Sequence, residues 1–71
     1  MKIEHDRKAD ALYIEFRKGT FARNHVINKD TIIDFDKKGN ILGIELLFVS
    51  KRMPLKSLSE VSFKQVPKMH A

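Results

Sequence analysis

Hydrophobic and polar residues alternate along much of the chain before residue 50, which is the pattern of half-buried β-strands. In residues 11–17 the apolar side chains Leu12, Ile14 and Phe16 recur at every second position, so they would share one face of a strand. Residues 1–6 form a shorter segment of the same kind, and a turn with an aspartate at each end separates the two. Because aspartates accept hydrogen bonds from nearby backbone amides in turns, we predict a β-hairpin here.

A second hairpin is the clearest feature of the sequence. Two largely apolar runs, residues 31–36 and 41–48, flank a polar loop that contains Gly39, and glycine adopts the positive φ that such turns require. A third strand over residues 21–27, followed by a turn or bulge over residues 28–30, would lead into this hairpin.

The loop of the second hairpin admits two registers. A three-residue loop pairs Asp36 with Asn40 and mixes polar and apolar side chains on each face. A four-residue loop pairs Phe35 with Leu42 and places the apolar side chains on one face. Because a slip of one residue moves every side chain to the opposite face, the second register is favoured. Its apolar face holds Ile33, Phe35, Leu42, Ile44, Leu46 and Phe48.

The other face of that hairpin is mixed. Three carboxylates, Asp34, Asp36 and Glu45, lie there beside the apolar residues Ile32, Ile41, Leu47 and Val49. We expect these four apolar residues to form an interaction face, covered either by the carboxy-terminal segment or by a second copy of the chain. Within that segment Pro54 can open a helical turn, whereas residues 61–65 alternate as a strand would, and the pattern leaves both open.

These patterns predict a β-rich fold, either all-β or α+β. It is a small antiparallel meander of four to five strands, built from two hairpins, with at most one short helix near residues 54–59. A chain of 71 residues allows one domain, which we place at residues 1–66, and residues 67–71 are predicted to fray.

Composition narrows the chemistry. The chain has no cysteine, which excludes thiol nucleophiles, thiolate zinc sites and iron–sulfur clusters. Its first residues carry charges and no apolar stretch, so we expect no secretory signal, and we expect a cytoplasmic protein. The longest uncharged apolar run, residues 46–49, is far too short to span a membrane.

The formal net charge of +5 is concentrated near the carboxy terminus. Residues 50–71 hold five basic residues against Glu60 alone, a net of +4, which leaves +1 for the rest of the chain. A nucleic-acid-binding protein would use this segment, and its candidate contacts are Lys51, Arg52, Lys56 and Lys64. These cations are spread out, so a solvated surface is the competing interpretation.

No motif predicts a catalytic or metal site. The carboxylates of Asp34, Asp36 and Glu45 are ligands that hard cations prefer, but they lack the spacing of a calcium-binding loop, and we expect neither a metal nor another cofactor. Gly43 lies inside a predicted strand, which indicates a bulge or the close approach of a bulky group across the sheet.

Two blocks of sequence resemble a known family. The first block comprises residues 1–6 and Ala9-Asp10-Ala11-Leu12-Tyr13-Ile14, and the second comprises Asp34-Phe35-Asp36, Gly39 and residues 43–47. Together they resemble the small prokaryotic family catalogued as domain of unknown function 2283. The resemblance extends over roughly residues 1–53. It implies a compact β-rich scaffold and no enzyme mechanism.

We therefore expect a non-enzymatic protein-interaction module that forms a homodimer or binds another small protein, in a regulatory or antitoxin-like role. The alternative is a nucleic-acid-binding protein that uses the basic carboxy-terminal segment.

Overall fold

The computed structural model describes residues 1–67, which contain one five-stranded antiparallel sheet. Its strands are Lys2–Asp6 (β1), Ala11–Glu15 (β2), Arg23–Asn28 (β3), Thr31–Phe35 (β4) and Ile41–Leu47 (β5), followed by an α-helix at Val49–Arg52 (α1) and a 3-10 helix at Leu55–Leu58. The strand order is β1-β2-β5-β4-β3. The predicted fold class is confirmed, but the order is not that of a simple meander, because β5 lies beside β2 and displaces β3 to the far edge.

The connection from β2 to β3 crosses the sheet end at which the β4–β5 turn lies. At its start the Phe16 amide donates to the Leu42 carbonyl at 2.8 Å, and at its finish the Ala22 amide donates to the Phe35 carbonyl at 2.9 Å. Between them Gly19 lies on Leu42, since a Cβ on this glycine would be 2.7 Å from Leu42 Cδ2. This crossing buries Leu42, which is only 5 % exposed.

The β4–β5 hairpin contains both of the predicted registers. In its body Asp34 faces Gly43, as the four-residue loop requires. At the turn, however, the Asp36 amide donates to the Asn40 carbonyl at 3.0 Å, as the three-residue loop requires. A β-bulge absorbs the difference and sets Phe35 opposite Ile41. The predicted pairing of Phe35 with Leu42 is therefore wrong, because the bulge inserts one residue into β5.

The chain after β5 departs from the prediction. Phe48 takes up the left-handed conformation, with φ of 54°, and this residue turns the backbone out of the sheet. It is half exposed instead of extending the apolar face, whereas Val49 starts α1 and is fully buried. The predicted turn after Pro54 is present as the 3-10 helix, but residues 59–67 form no strand.

Helix α1 is hydrogen-bonded to the β1–β2 turn and to the β3–β4 turn. Asp10 accepts hydrogen bonds from the Ser50 amide at 3.0 Å and the Ser50 hydroxyl at 2.7 Å. On the other side the Arg52 guanidinium donates to the Asp30 carbonyl at 2.6 Å and to the Thr31 hydroxyl at 3.2 Å. One short helix thus joins the β1–β2 turn to the β3–β4 turn.

Of the predicted frayed tail, residues 68–71 lie outside the described residues, and Pro67 is exposed. In residues 1–67 no helix has the length and apolar character needed to cross a membrane.

Candidate interaction surfaces

One face of the sheet carries a row of isoleucines at matching positions on four strands. Ile3 pairs with Ile14, Ile14 with Ile44, and Ile44 with Ile33. The fifth strand continues this row with His25 opposite Ile33. We call this surface the apolar face, and it also includes Leu12, Leu46 and Phe35.

The apolar face is incompletely covered. Among residues 1–67 the buried hydrophobic side chains are Leu42 and Val49 alone. The isoleucines of the row keep part of their surface in contact with solvent, and Ile3 is 40 % exposed. Phe16, predicted to be on the core face, is 39 % exposed. Nothing in the described chain forms a second layer over the centre of the sheet.

The total surface agrees with this. The chain exposes 6103 Å², whereas a compact monomer of its mass exposes roughly 4,600 Å². The excess is about 1,500 Å², part of which belongs to the exposed residues 59–67. The radius of gyration, 14.1 Å, likewise exceeds the roughly 11 Å of a compact domain of this length.

The opposite surface, the carboxyl face, carries Glu4, Tyr13, Glu15, Asp34 and Glu45, with Ile32 and Leu47 among them. Tyr13 lies across Gly43, since a Cβ on that glycine would be 2.5 Å from the tyrosine hydroxyl oxygen. The predicted close approach at Gly43 is thereby confirmed. The missing side chain lets the tyrosine ring reach Asp34.

Burial and like charge shape the titration of this face. The pKa of the Tyr13 hydroxyl is raised by burial first, then by the negative charges of Asp34, Glu15 and Glu45. The pKa of Glu45 is also raised by burial first, and then by a hydrogen bond with Asp34 and by the charge of Asp34. Asp34 itself is 8 % exposed, and its Oδ1 atom has no hydrogen-bond partner.

The three predicted carboxylates do not form one cluster. Asp36 belongs to the β4–β5 turn, where its Oδ1 accepts from the amides of Lys38 at 2.9 Å and Asn40 at 2.8 Å. Hydrogen bonds from the Asn40 side chain and backbone lower the pKa of Asp36, so it stays ionised in the turn. In residues 1–67 no group of three histidine or acidic side chains is arranged to hold a metal ion.

The four residues of the predicted interaction face are separated. Ile32 and Leu47 lie on the carboxyl face. Ile41 faces Phe35 because of the bulge, and Val49 has no exposed surface with which to contact a partner. The bulge and the left-handed Phe48 each reverse the alternation that had placed these residues together.

The predicted basic segment is likewise partly engaged. Arg52 donates its hydrogen bonds to the β3–β4 turn, and Lys56 lies 4.0 Å from Glu60. Lys51 and Lys64 are exposed. Lys51 and Arg52 line a cavity of about 340 Å³ with Lys29 and the half-exposed Phe48, whereas Lys56 and Lys64 are not among its lining residues.

A second basic cluster forms where the sequence did not indicate one. Arg17, Phe21, Lys37 and Lys38 line a cavity of about 600 Å³ beside the β4–β5 turn. We call this region the hairpin end. Arg17 and Lys37 are far apart in the sequence, and only the crossing of the β2–β3 connection brings them together.

Comparison with known proteins gives a family but no activity. A family model described as "Protein of unknown function (DUF2283)" matches residues 2–50. An uncharacterized protein from Methanocaldococcus jannaschii is 35% identical over 51 residues, which are 72% of this chain and 43% of that protein. The chain thus spans less than half the length of this relative. No solved structure matches this chain.

Proposed function

Because the chain belongs to the DUF2283 family, whose description assigns no activity, we propose a function from the sheet itself: a non-enzymatic protein-interaction module that works as a homodimer. The observation that carries this proposal is the apolar face, on which a row of isoleucines remains part-exposed. Apolar area of this extent favours association, because its removal from water stabilises the complex in proportion to the area buried.

The excess of exposed surface is large enough to include one interface of ordinary size. A standard interface removes about 800 Å² from each partner. The surface of this chain exceeds that of a compact monomer by about 1,500 Å², of which the exposed residues 59–67 account for part and the apolar face for another part. Two apolar faces packed on each other would form a two-layered sheet sandwich, the usual way for such faces to be covered.

The charge distribution favours a second copy on the apolar face. A two-fold symmetric contact places the same patch of both chains together, so a patch of one charge repels itself. The carboxyl face carries Glu4, Glu15, Asp34 and Glu45 against Lys2, which pairs with Glu4. This excess of negative charge is unsuited to such a contact. The isoleucine row is uncharged and can pack on its own copy.

Two neighbouring isoleucines on opposite faces provide the test. We expect the wild-type protein to elute and scatter light as a dimer, Ile33→Lys to be a monomer, and Ile32→Lys to remain a dimer. A monomeric wild type at high concentration would overturn the proposal. So would a dimer that Ile32→Lys dissociates and Ile33→Lys does not, because that result would assign the contact to the carboxyl face.

Circular dichroism establishes that each variant retains the sheet. If Ile33→Lys unfolds, Ile3→Lys replaces it, because Ile3 lies on an edge strand and is already 40 % exposed. Its matched control is Glu4→Lys, which introduces the same residue at the neighbouring position on the carboxyl face.

A further inference from the structure

The hairpin end combines cations with an exposed aromatic ring in one cavity. Arg17, Lys37 and Lys38 supply three positive charges, and Asp36 is the acidic residue among the lining side chains. Phe21 lines the same cavity and is 55 % exposed. A large apolar ring left in water beside several cations offers a planar contact and a charged contact at once.

The structure holds these side chains on fixed backbone. The two lysines lie in a turn that Asp36 closes, and the Gly39 amide donates to the Asp36 carbonyl at 3.1 Å. The oxygens of Asp36 accept hydrogen bonds within that turn. The carboxylate keeps its negative charge, so the three cations and Asp36 together carry a net charge of +2. On the other side Arg17 lies two residues after the end of β2, and its amide donates to the Leu42 carbonyl at 3.4 Å.

From this arrangement we propose that the hairpin end binds a nucleotide, either free or as a unit of a single-stranded nucleic acid. The phosphate would contact Arg17, Lys37 and Lys38, and the base would stack on Phe21. Phosphate binding by clustered cations together with base stacking on an aromatic ring is how proteins hold unpaired nucleotides. The cavity has the size of ordinary small-ligand sites.

The proposal uses residues outside the isoleucine row, so it stands independently of the homodimer. It also differs from binding by the carboxy-terminal cations, whose charge is dispersed and partly engaged. Two double variants separate these sites, because each removes two positive charges: Lys37→Gln with Lys38→Gln at the hairpin end, and Lys51→Gln with Lys56→Gln as the matched control.

The measurement is fluorescence anisotropy of a labelled short oligothymidylate, titrated with the full chain at low salt. We expect the hairpin-end double variant to weaken binding about tenfold or more and to reduce the slope of log K against log salt by about 1.4, or 0.7 for each phosphate that is no longer neutralised. The matched control should remain within about twofold of wild type. No binding at low salt, or weakening confined to the control variant, would overturn the proposal.

The contribution of the ring is tested separately. Phe21→Ala should weaken binding by about tenfold, which corresponds to one stacked base, whereas Phe63→Ala, at a ring elsewhere that is even more exposed, should not. Competition with uridine monophosphate distinguishes the sources: displacement of the oligonucleotide supports a free nucleotide, and its failure supports a nucleic-acid strand. If a duplex binds as tightly as the single strand and Phe21→Ala has no effect, binding rests on charge alone and the nucleotide site is refuted.

Discussion

At the scale of single residues, the glycines in the second hairpin have different reasons to be glycine. Gly39 has φ of +87° and open space around it, so only its backbone conformation requires glycine. Gly43 has no such φ, but a Cβ there would be 2.6 Å from the Ile14 carbonyl oxygen and 2.5 Å from the Tyr13 hydroxyl oxygen. The first glycine permits a turn, and the second permits the close packing of β2 and Tyr13 on β5.

The difference predicts unequal costs of adding one methyl group. Gly43→Ala should destabilise by about 2–3 kcal/mol, since backbone must move to relieve the overlap, and should lower Tm by about 10 °C or more. Gly39→Ala should cost about 1 kcal/mol for the left-handed conformation, and Gly39→Asn less, because asparagine tolerates it. Thermal unfolding followed by circular dichroism measures all three.

A control identifies the atom responsible. Tyr13→Phe removes the hydroxyl but leaves the ring carbon Cζ and the Ile14 carbonyl oxygen, each 2.6 Å from the added Cβ, so the double variant with Gly43→Ala should recover only part of the lost stability. Full recovery would mean that the tyrosine hydroxyl alone sets the requirement for glycine.

At the scale of elements, the side of the sheet on which a residue lies was predictable, and the exceptions were not. Period-two alternation indicates facing, so the pairing of Asp34 with Gly43 could be derived from the sequence. Alternation carries no information on an inserted residue. The glycine at position 43 indicated a bulge as one of two alternatives, and the bulge does lie beside it, between Gly43 and Ile41, but the pattern did not identify Leu42 as the inserted residue. The same applies to Phe48, whose left-handed conformation ended β5 before Val49.

The contact between Asp10 and Ser50 was equally invisible, because 40 residues separate them. It joins the first block of the family resemblance, through Asp10, to the segment that follows the second block. The hydrogen bond from the Ser50 hydroxyl is the largest cause of the lowered pKa of Asp10. Asp10, one of the residues that carry the resemblance to the family, thus holds α1 against the β1–β2 turn.

This contact predicts a stability change that depends on pH. Because the pKa of Asp10 is lower in the folded chain than in the unfolded chain, its stabilising effect is present above the unfolded value and is lost as the pH falls through the folded value. Ser50→Ala should therefore lower Tm by about 5 °C at neutral pH. The difference from wild type should shrink near pH ~2, where carboxyl groups are protonated.

The matched control is Ser62→Ala, in the exposed segment after the 3-10 helix, for which Tm should not change at either pH. A decrease in Ser50→Ala that stays constant from neutral to acid pH would contradict the role of the Asp10 charge.

At the scale of the whole molecule, the fold sorts charge in a way that the linear sequence conceals. Counted along the chain, the positive charge lies near the carboxy terminus. In the structure, carboxylates gather on one face of the sheet, while Arg17 joins Lys37 and Lys38 at the hairpin end. Strand order decides this, and local sequence patterns do not contain strand order. Alternation predicts which residues form the apolar face. It does not predict that the rest of the chain covers only a small part of that face.

If the apolar face is covered by a second copy, association adds to the stability of the folded chain, and stability depends on concentration. Each tenfold rise in protein concentration adds about 1.4 kcal/mol to the stability of a dimer relative to two unfolded chains. Tm should therefore rise by about 3–6 °C per tenfold increase. Ile32→Lys should keep this dependence, whereas Ile33→Lys should lose it and unfold at one temperature throughout. Calorimetry over two decades of concentration provides the measurement, and a wild-type Tm that does not change over that range would show that the sheet is stable without a partner.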